Sequence, residues 1–408
     1  MICTCLSSTD GENAEEKIKK TTLLNAIISR LGIVAEFDAN ENSDVYYTGQ
    51  YWNDIEFVDA KLRNKISEEY SLYWWMKFQA EHPEGFNKAL FLNCGNGWVE
   101  RELVSSGFIR SAVGIDYSQD LLDAAVREAK EQHLPIEYIQ MNVNEVPLPN
   151  DGFDLVVNFA AAHHIARIDK VFREICTFLP DDGWFLSYDY VGPHRNQYRV
   201  DAWSRVHEVN DLLPLEMKAE IRYPHLPTMM VSDPTEAIHS ELILETMNRY
   251  FEVNDFVPLG GAIAYPLLTH NSNFFKSGDY ELQLSTVRKI MEADEDFLDR
   301  VPESTLFAYF AAQPKKDVLR DEVQLGEWER AEAQREISSK SNCGEYYPRN
   351  VITSYSIEIE EKRNMIDLLN SDNSKLRDEV LGLQQRRAVR FANYLQKFWI
   401  ARLIRKSF

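Results

Sequence analysis

The feature that most constrains the fold is a regular alternation of short apolar runs and amphipathic segments between residues 88 and 190. The amphipathic segments have the three-to-four-residue apolar spacing of helices. Strands alternating with helices at this spacing favour a doubly wound parallel α/β sheet with right-handed crossovers. The predicted strands are Ala89–Leu92, Ser111–Ile115, Ile136–Asn142, Phe153–Phe159 and Trp184–Tyr190; the predicted helices are Trp98–Ser105, Ser118–Gln132 and Ile168–Phe178.

A glycine-containing turn, Asn93-Cys94-Gly95-Asn96-Gly97, follows the first strand, and helical spacing resumes at Trp98. Strand, tight turn and helix open a nucleotide-binding βαβ unit, in which glycine lets the backbone adopt positive φ or approach a ligand. Asp116 ends the second strand, 21 positions after Gly95. An acid there can accept both hydroxyls of a ribose, although it could also cap the following helix.

Five motifs resemble, in order, those of class I S-adenosylmethionine-dependent methyltransferases. They are Leu-Asn-Cys-Gly-Asn-Gly (92–97), Gly-Ile-Asp-Tyr-Ser (114–118), Pro-Leu-Pro-Asn-Asp-Gly-Phe-Asp-Leu-Val (147–156), His-His-Ile (163–165) and Phe-Leu-Pro-Asp-Asp-Gly-Trp-Phe (178–185). The resemblance is close over Lys88–Val191 and looser to Pro314. It implies a Rossmann-like sheet with helices on both faces, S-adenosylmethionine as cofactor and methyl transfer as the activity.

The resemblance also implies a set of cofactor-binding residues. Asp116 would hold the ribose, and Asn142 would meet the adenine amino group through an uncharged amide oxygen. Phe91 and Asn93 stand where the family usually has an acid and its first glycine, but asparagine tolerates positive φ. These departures keep open a non-catalytic scaffold of the same fold as the alternative. The full set is Asn93, Gly95, Gly97, Asp116, Tyr117, Asn142, Val143 and Asn158.

The catalytic candidates are His163, His164 and Asp189, which follow or end the fourth and fifth strands. Transfer to a hydroxyl acceptor needs a proton removed, and imidazole suits that task near neutral pH. Asp189 could orient a histidine or bind acceptor hydroxyls. Segments expected to cover the site carry Arg195, Glu236 and His239.

The acceptor is predicted from a weaker resemblance. Asp189–Pro193 and Asp233–Glu241 look like a bacterial subgroup of enzymes that decorate surface polysaccharides. The predicted acceptor is therefore a hydroxyl, such as that of a glycan sugar. A small-molecule or lipid acceptor stays open, because no residue decides between them.

Composition limits the partners and the compartment. The formal net charge of −21 argues against nucleic acid as a partner, since that binding depends on neutralising phosphates. Five cysteines without metal-ligand spacing predict a reducing cytosol and no metal site. The chain has no apolar stretch long enough to span a bilayer, and a signal peptide is not expected from Met1–Asn13.

The C-terminal tail has a different pattern. Apolar residues from Ile366 to Leu383 follow an a/d seam with Asn373 at an a position, which predicts a coiled coil. From Arg386 to Phe408, aromatic and aliphatic residues interleave with basic ones and no acidic residue occurs. Such a basic amphipathic helix favours an anionic membrane surface or a partner protein, with docking on its own domain or on a second copy as the alternative.

The predicted domains are an N-terminal helical or flexible extension (1–50), a methyltransferase domain (51–314), a linker (315–355) and the coiled coil with the basic helix (356–408). The protein is expected to be cytoplasmic, with membrane contact through the tail, and to form a homo-oligomer or bind a partner there. Further predicted elements are helices over Ile55–Phe78, Ser232–Tyr250 and Tyr280–Phe297, and strands over Phe251–Pro258 and Thr305–Ala312.

Overall fold

The computed structural model describes residues 50–67, 73–224, 229, 233 and 235–341. Residues 1–49 of the predicted N-terminal extension, the predicted coiled coil and the predicted basic helix lie outside these ranges. Within them, no helix combines the length and the apolar character that crossing a membrane requires.

The described residues form one seven-stranded sheet with the order β3-β2-β1-β4-β5-β7-β6. β1 to β5 are parallel, and β7 runs antiparallel between β5 and β6. This arrangement confirms the predicted Rossmann-like sheet. The strands are β1 (Phe86–Leu92), β2 (Ile109–Asp116), β3 (Ile136–Gln140), β4 (Leu155–Phe159), β5 (Trp184–Tyr190), β6 (Phe251–Gly260) and β7 (Phe307–Pro314).

Helices cover both faces of the sheet. Successive residues of a strand point to opposite faces, and the four residues Ala89–Leu92 are all at most 3% exposed. Both faces of β1 are therefore buried. The helices are α1 (Glu56–Ile66), α2 (Met76–Glu81), α3 (Trp98–Ser105), α4 (Gln119–Glu131), α5 (Ile168–Phe178), α6 (Val200–Asp211), α7 (Ile243–Tyr250), α8 (Ala264–Leu268), α9 (Ser272–Lys276), α10 (Tyr280–Arg300) and α11 (Glu322–Ser341).

Two predicted helices are shorter in the structure. The helix expected over Ser232–Tyr250 begins only at Ile243, because the Asp233 carboxylate accepts hydrogen bonds from the backbone N–H groups of Thr235 and Glu236. Such local side-chain bonds compete with helical ones. The helix expected over Ile55–Phe78 is replaced by α1, which ends where Ser67 is extended, and by α2.

The residues expected to form a linker after Pro314 instead include the 20-residue helix α11. Glu332 is 4% exposed, and its carboxylate accepts hydrogen bonds from the backbone N–H groups of Asp169 and Lys170 in the first turn of α5. Trp328 lies under the Arg249 guanidinium, 4.4 Å from the ring centre. α11 thus packs through the Glu332 carboxylate, the Trp328 indole and Leu325, a set too small and mixed to form an apolar stripe in the sequence.

Candidate active site at the carboxyl ends of the strands

The glycine turn after β1 has left-handed backbone conformation at three positions. The φ angles of Asn93, Gly95 and Gly97 are +40°, +59° and +76°. A Cβ atom at Gly97 would lie 2.4 Å from the Tyr138 hydroxyl oxygen. The Asn93 amide donates to the carbonyl of Ala161 at 3.2 Å, so asparagine keeps the turn conformation expected of it and ties β1 to the segment after β4.

The Asp116 carboxylate is held directly against this turn. It accepts a hydrogen bond from the Gly95 N–H at 2.8 Å and one from the Ser118 N–H at 2.8 Å. A carboxylate offers about four acceptor positions, so acceptor capacity remains for hydroxyl groups. Ser118, and not Asp116, caps α4 by accepting from the Leu121 N–H. The Tyr117 side chain beside it is 72% exposed.

The three remaining cofactor candidates differ in their surroundings. The Asn142 amide oxygen accepts from the Asn144 N–H at 3.1 Å, which forms a local turn after β3. Val143 is 3% exposed, and its carbonyl accepts from the Lys170 ammonium at 2.9 Å. Asn158 is fully buried inside β4 and donates to Asp189 at 2.7 Å. Asn158 therefore supports the neighbouring carboxylate from within the sheet.

Asp189, at the end of β5, is the centre of a buried hydrogen-bond network. Its Oδ1 atom lies 2.6 Å from Nδ1 of His163. Burial alone would raise the pKa of this carboxyl, but the adjacent His163 and the donated hydrogen bonds hold it below its usual value. The further donors to Asp189, at 2.7–3.3 Å, are the Asn158 amide and the backbone N–H groups of Ala161, Ala162 and Tyr190.

The two predicted histidines have opposite protonation behaviour. Burial lowers the pKa of His163, but the charges of Asp189 and Glu236 and the hydrogen bond that Nδ1–H donates to Asp189 outweigh it and raise the pKa to about 9. His163 is therefore an imidazolium at neutral pH. Burial and the neighbouring His163 charge lower the pKa of His164 below its ordinary value. The neutral His164 ring is thus the better proton acceptor.

A chain of hydroxyl and carboxylate groups orients His164. Its Nδ1 atom lies 3.1 Å from the Thr235 hydroxyl, which donates to the Asp233 carboxylate at 2.7 Å. Because that hydroxyl donates its proton to Asp233, its oxygen accepts from Nδ1–H, and Nε2 is left as an acceptor. Nε2 lies 3.9 Å from Oε2 of Glu236, and the two side chains are 24% and 26% exposed. Both Nε2 of His164 and Oε2 of Glu236 are hydrogen-bond acceptors. A hydroxyl group bound beside them can donate its proton to one of the two.

Thr235 and Asp233 were missed by the sequence reasoning, which placed Glu236 only in a covering segment. The sequence signal for these two residues is the pair Asp233-x-Thr235, because an aspartate two positions before a threonine favours a local turn. The structure also brings two groups of ligand-type atoms within 4.8 Å of one another. The first group is His163, His164 and Glu236, and the second is His194, His239 and Glu241.

A buried acid lies behind the glycine turn. Glu100, in the first turn of α3, is 1% exposed, and its Oε1 atom has no hydrogen-bond partner among the described residues. A Cβ atom at Gly97 would lie 2.9 Å from this oxygen. Burial raises the pKa of Glu100 to about 7.

Part of the chain is similar to known methyltransferases. Residues 90–187 match the family model described as a methyltransferase domain. The uncharacterized methyltransferase YcgJ of Bacillus subtilis (strain 168) is 29% identical over 103 residues, which are 25% of this chain and 41% of that protein. The mitochondrial ubiquinone biosynthesis O-methyltransferase of Candida albicans is 27% identical over 183 residues, 44% of this chain and 54% of that protein.

The chain thus spans about half the length of these curated relatives. The crystal structure of YcgJ from Bacillus subtilis has 15% sequence identity and a TM-score of 0.34, and the match covers 59% of this chain and 98% of that one. The matched residues 90–187 include the glycine turn, Asp116 and both histidines. The match supports a methyltransferase domain over these residues.

Proposed function

We propose that the protein is an S-adenosylmethionine-dependent methyltransferase that acts on a hydroxyl acceptor. The observation that carries the proposal is the Asp116 carboxylate, held by the Gly95 N–H at 2.8 Å within the segment that matches the methyltransferase domain model. The positive φ angles of the turn fit a backbone that lies close to a ligand. When bound, S-adenosylmethionine supplies an electrophilic methyl group on its sulfonium.

In this proposal His164 receives the proton of the acceptor hydroxyl. The hydroxyl would lie between Nε2 of His164 and Oε2 of Glu236, where a donor is needed. Thr235 holds the ring by accepting from Nδ1. His163 stays protonated against Asp189 and contributes a fixed positive charge beside the acceptor. That charge favours the oxyanion that forms as the proton leaves.

Cofactor binding is the first test. We expect saturable binding of S-adenosylmethionine and of S-adenosylhomocysteine in isothermal titration calorimetry. Asp116→Asn removes a charged acceptor, which costs about 1.5–3 kcal/mol, or roughly a tenfold to hundredfold loss of affinity. Asp120→Asn is the matched control, because Asp120 is an exposed carboxylate in the first turn of α4. Absence of binding at millimolar ligand would refute the enzyme and favour the non-catalytic scaffold.

Proton transfer is the second test. Labelled methyl transfer to a panel of glycans, phenols and lipid acids identifies the acceptor class. His164→Gln should lower kcat by the ~10²–10⁴-fold typical of a lost general base while cofactor affinity is kept. An unchanged kcat in this variant would exclude His164 as the base.

For the acceptor itself, we propose a sugar hydroxyl of a glycan, supported by the resemblance over Asp189–Pro193 and Asp233–Glu241. The Candida albicans relative is named as an O-methyltransferase of ubiquinone biosynthesis, which supports an oxygen acceptor of some kind. Transfer to a phenol or a carboxylate in the panel, with none to any glycan, would overturn the glycan part alone.

For the tail, we propose that residues 356–408 mediate self-association or hold a cytoplasmic enzyme at an anionic membrane surface. The support is the a/d seam and the basic, acid-free stretch from Arg386 to Phe408. Removal of Arg386–Phe408 should release the protein from anionic liposomes. Light scattering of the full chain measures its oligomeric state. A monomer that does not bind liposomes would refute both self-association and membrane binding.

A further inference from the structure

A second group of histidine and glutamate side chains lies beside the proposed catalytic residues. His194 belongs to the one-turn 3-10 helix that follows β5, and His239 and Glu241 belong to the stretch of chain before α7. Both histidines are buried, at 7% and 6% exposure. The methyl-transfer proposal gives these residues no role.

The backbone fixes the orientation of one histidine ring. Nδ1 of His194 lies 3.1 Å from the carbonyl of Ile238, an acceptor only, so Nδ1 carries the proton. Nε2 is then the ring nitrogen with a lone pair. Metal-binding histidines commonly donate their other ring N–H to a backbone carbonyl in this way, which sets the tautomer and the ring plane.

The other two residues carry buried polar atoms that lack hydrogen-bond partners. Within the described part of the chain, neither Nδ1 of His239 nor Oε2 of Glu241 has one. Such atoms are costly to bury, and a bound ion is one of the recognised explanations for them. Nδ1 of His239 lies 3.6 Å from Oε1 of Glu241, beyond hydrogen-bond distance. The three residues bring one ligand atom each within 4.8 Å of the others.

We propose that His194, His239 and Glu241 form a binding site for a divalent transition-metal ion of the Zn²⁺ class. Two imidazole nitrogens and one carboxylate oxygen suit such ions better than Ca²⁺ or Mg²⁺, which prefer oxygen. Tetrahedral ligands about 2.0–2.1 Å from Zn²⁺ stand roughly 3.3 Å apart, so the 3.6 Å pair needs little movement. Water completes the fourth position.

The ion would join two segments that lie against the catalytic residues. Ile238 connects them already, since its carbonyl faces His194 and its N–H donates to the carbonyl of His163 at 3.1 Å. The Arg195 N–H also donates to the carbonyl of Ala237 at 2.8 Å. A metal bridge from His194 to His239 therefore fixes the segment that carries Glu236. The site is structural, and it does not depend on methyl transfer.

The test is metal binding by the full chain after treatment with a chelator and its removal. Titration with Co²⁺ alone should give the visible absorption of a tetrahedral complex at one equivalent, and Zn²⁺ should displace it. His239→Gln and Glu241→Gln should each weaken binding by more than the ~10–100-fold that loss of an outer-shell partner costs. Glu241→Gln keeps the side-chain shape, so it reports on binding even where His239→Gln fails to fold.

The matched control is His82→Gln. His82 also faces a carboxylate, with Nδ1 3.7 Å from Glu84, but lies before β1 at the other end of that strand. Binding should be unchanged in this variant. Absence of a Co²⁺ complex would overturn the proposal, and so would binding that both site variants retain. Loss of the complex in His164→Gln, with retention in Glu241→Gln, would place the ion on the other cluster and equally overturn it.

Discussion

The buried Glu100 behind the glycine turn makes the stability of the fold depend on pH. Its pKa is raised to about 7 by burial, against 4.5 for an ordinary glutamate. Between these two values the folded state binds more protons than the unfolded state, so stability falls as pH rises. The full contribution of the bound proton to folding stability is present below pH 4.5, and it is lost as the pH rises through about 7.

The size of the effect follows from the shift. One pKa unit corresponds to about 1.4 kcal/mol, so the limit is roughly 3 kcal/mol. About 2.5 kcal/mol of this develops between about pH 5 and about pH 8. Glu100→Gln carries no proton to lose. The free energy of unfolding of this variant, relative to the wild type, should therefore increase by about 2.5 kcal/mol over that interval.

Urea unfolding at several pH values measures this difference. Any pH-independent difference in the free energy of unfolding between the amide and the protonated carboxyl cancels, because only the change of that free energy with pH is compared. Glu102→Gln is the control, since Glu102 is exposed in the same helix. A difference between Glu100→Gln and wild type that does not change with pH would refute the raised pKa.

Three further outcomes are expected. Gly97→Ala should destabilise the fold by about 1–3 kcal/mol in urea unfolding, because φ is +76° and the new Cβ would meet Tyr138; an unchanged midpoint would contradict this. Glu332→Gln should cost about 1 kcal/mol and speed hydrogen exchange in the first turn of α5, whereas equal exchange rates would argue against the cap. In NMR titration, Asp189→Asn should lower the pKa of His163 from about 9, because the charge that holds its proton is removed; a retained pKa would assign the shift elsewhere.

The sequence predicts the sheet well where buried apolar runs are bounded by turns. The bounds of β5 and α5 agree with the predicted Trp184–Tyr190 and Ile168–Phe178. In α5, Ile168, Val171 and Ile175 are at most 1% exposed and recur at helical spacing. For such segments one physical effect, apolar burial, decides the structure, and the pattern records it directly.

The errors occur where a polar group decides the structure instead. The sequence predicts a linker where α11 forms, because the contacts of this helix depend on Glu332, Trp328 and Leu325, which give no apolar stripe. The helix expected from Ser232 starts late because Asp233 bonds the backbone locally. The structural role of a carboxylate depends on the groups that the fold brings near it, and a single sequence does not show which groups these are.

In the candidate site, strand-end positions are predictable from the sequence, whereas roles that depend on distant polar partners are not. Strand-end positions predicted Asp116, His163 and Asp189 as site residues, and the structure places Asp116 against the glycine turn and His163 against Asp189. Asn158 was expected to meet the cofactor, but it lies within the sheet and donates to Asp189. The distinction between the two histidines, one protonated and one neutral, arises from Asp189 and Thr235, which come from distant parts of the chain.

The backbone of Ile238 has a consequence for the kinetics of the proposed reaction. Its N–H is bonded to the carbonyl of His163 and its carbonyl to the ring of His194. In the proposed reaction, a movement that lifts the Ile238 backbone to admit an acceptor would break both bonds, and it would also carry Glu236 away from the histidines. Opening and assembly of the proposed site would then be coupled, because the same few hydrogen bonds resist both acceptor entry and product release.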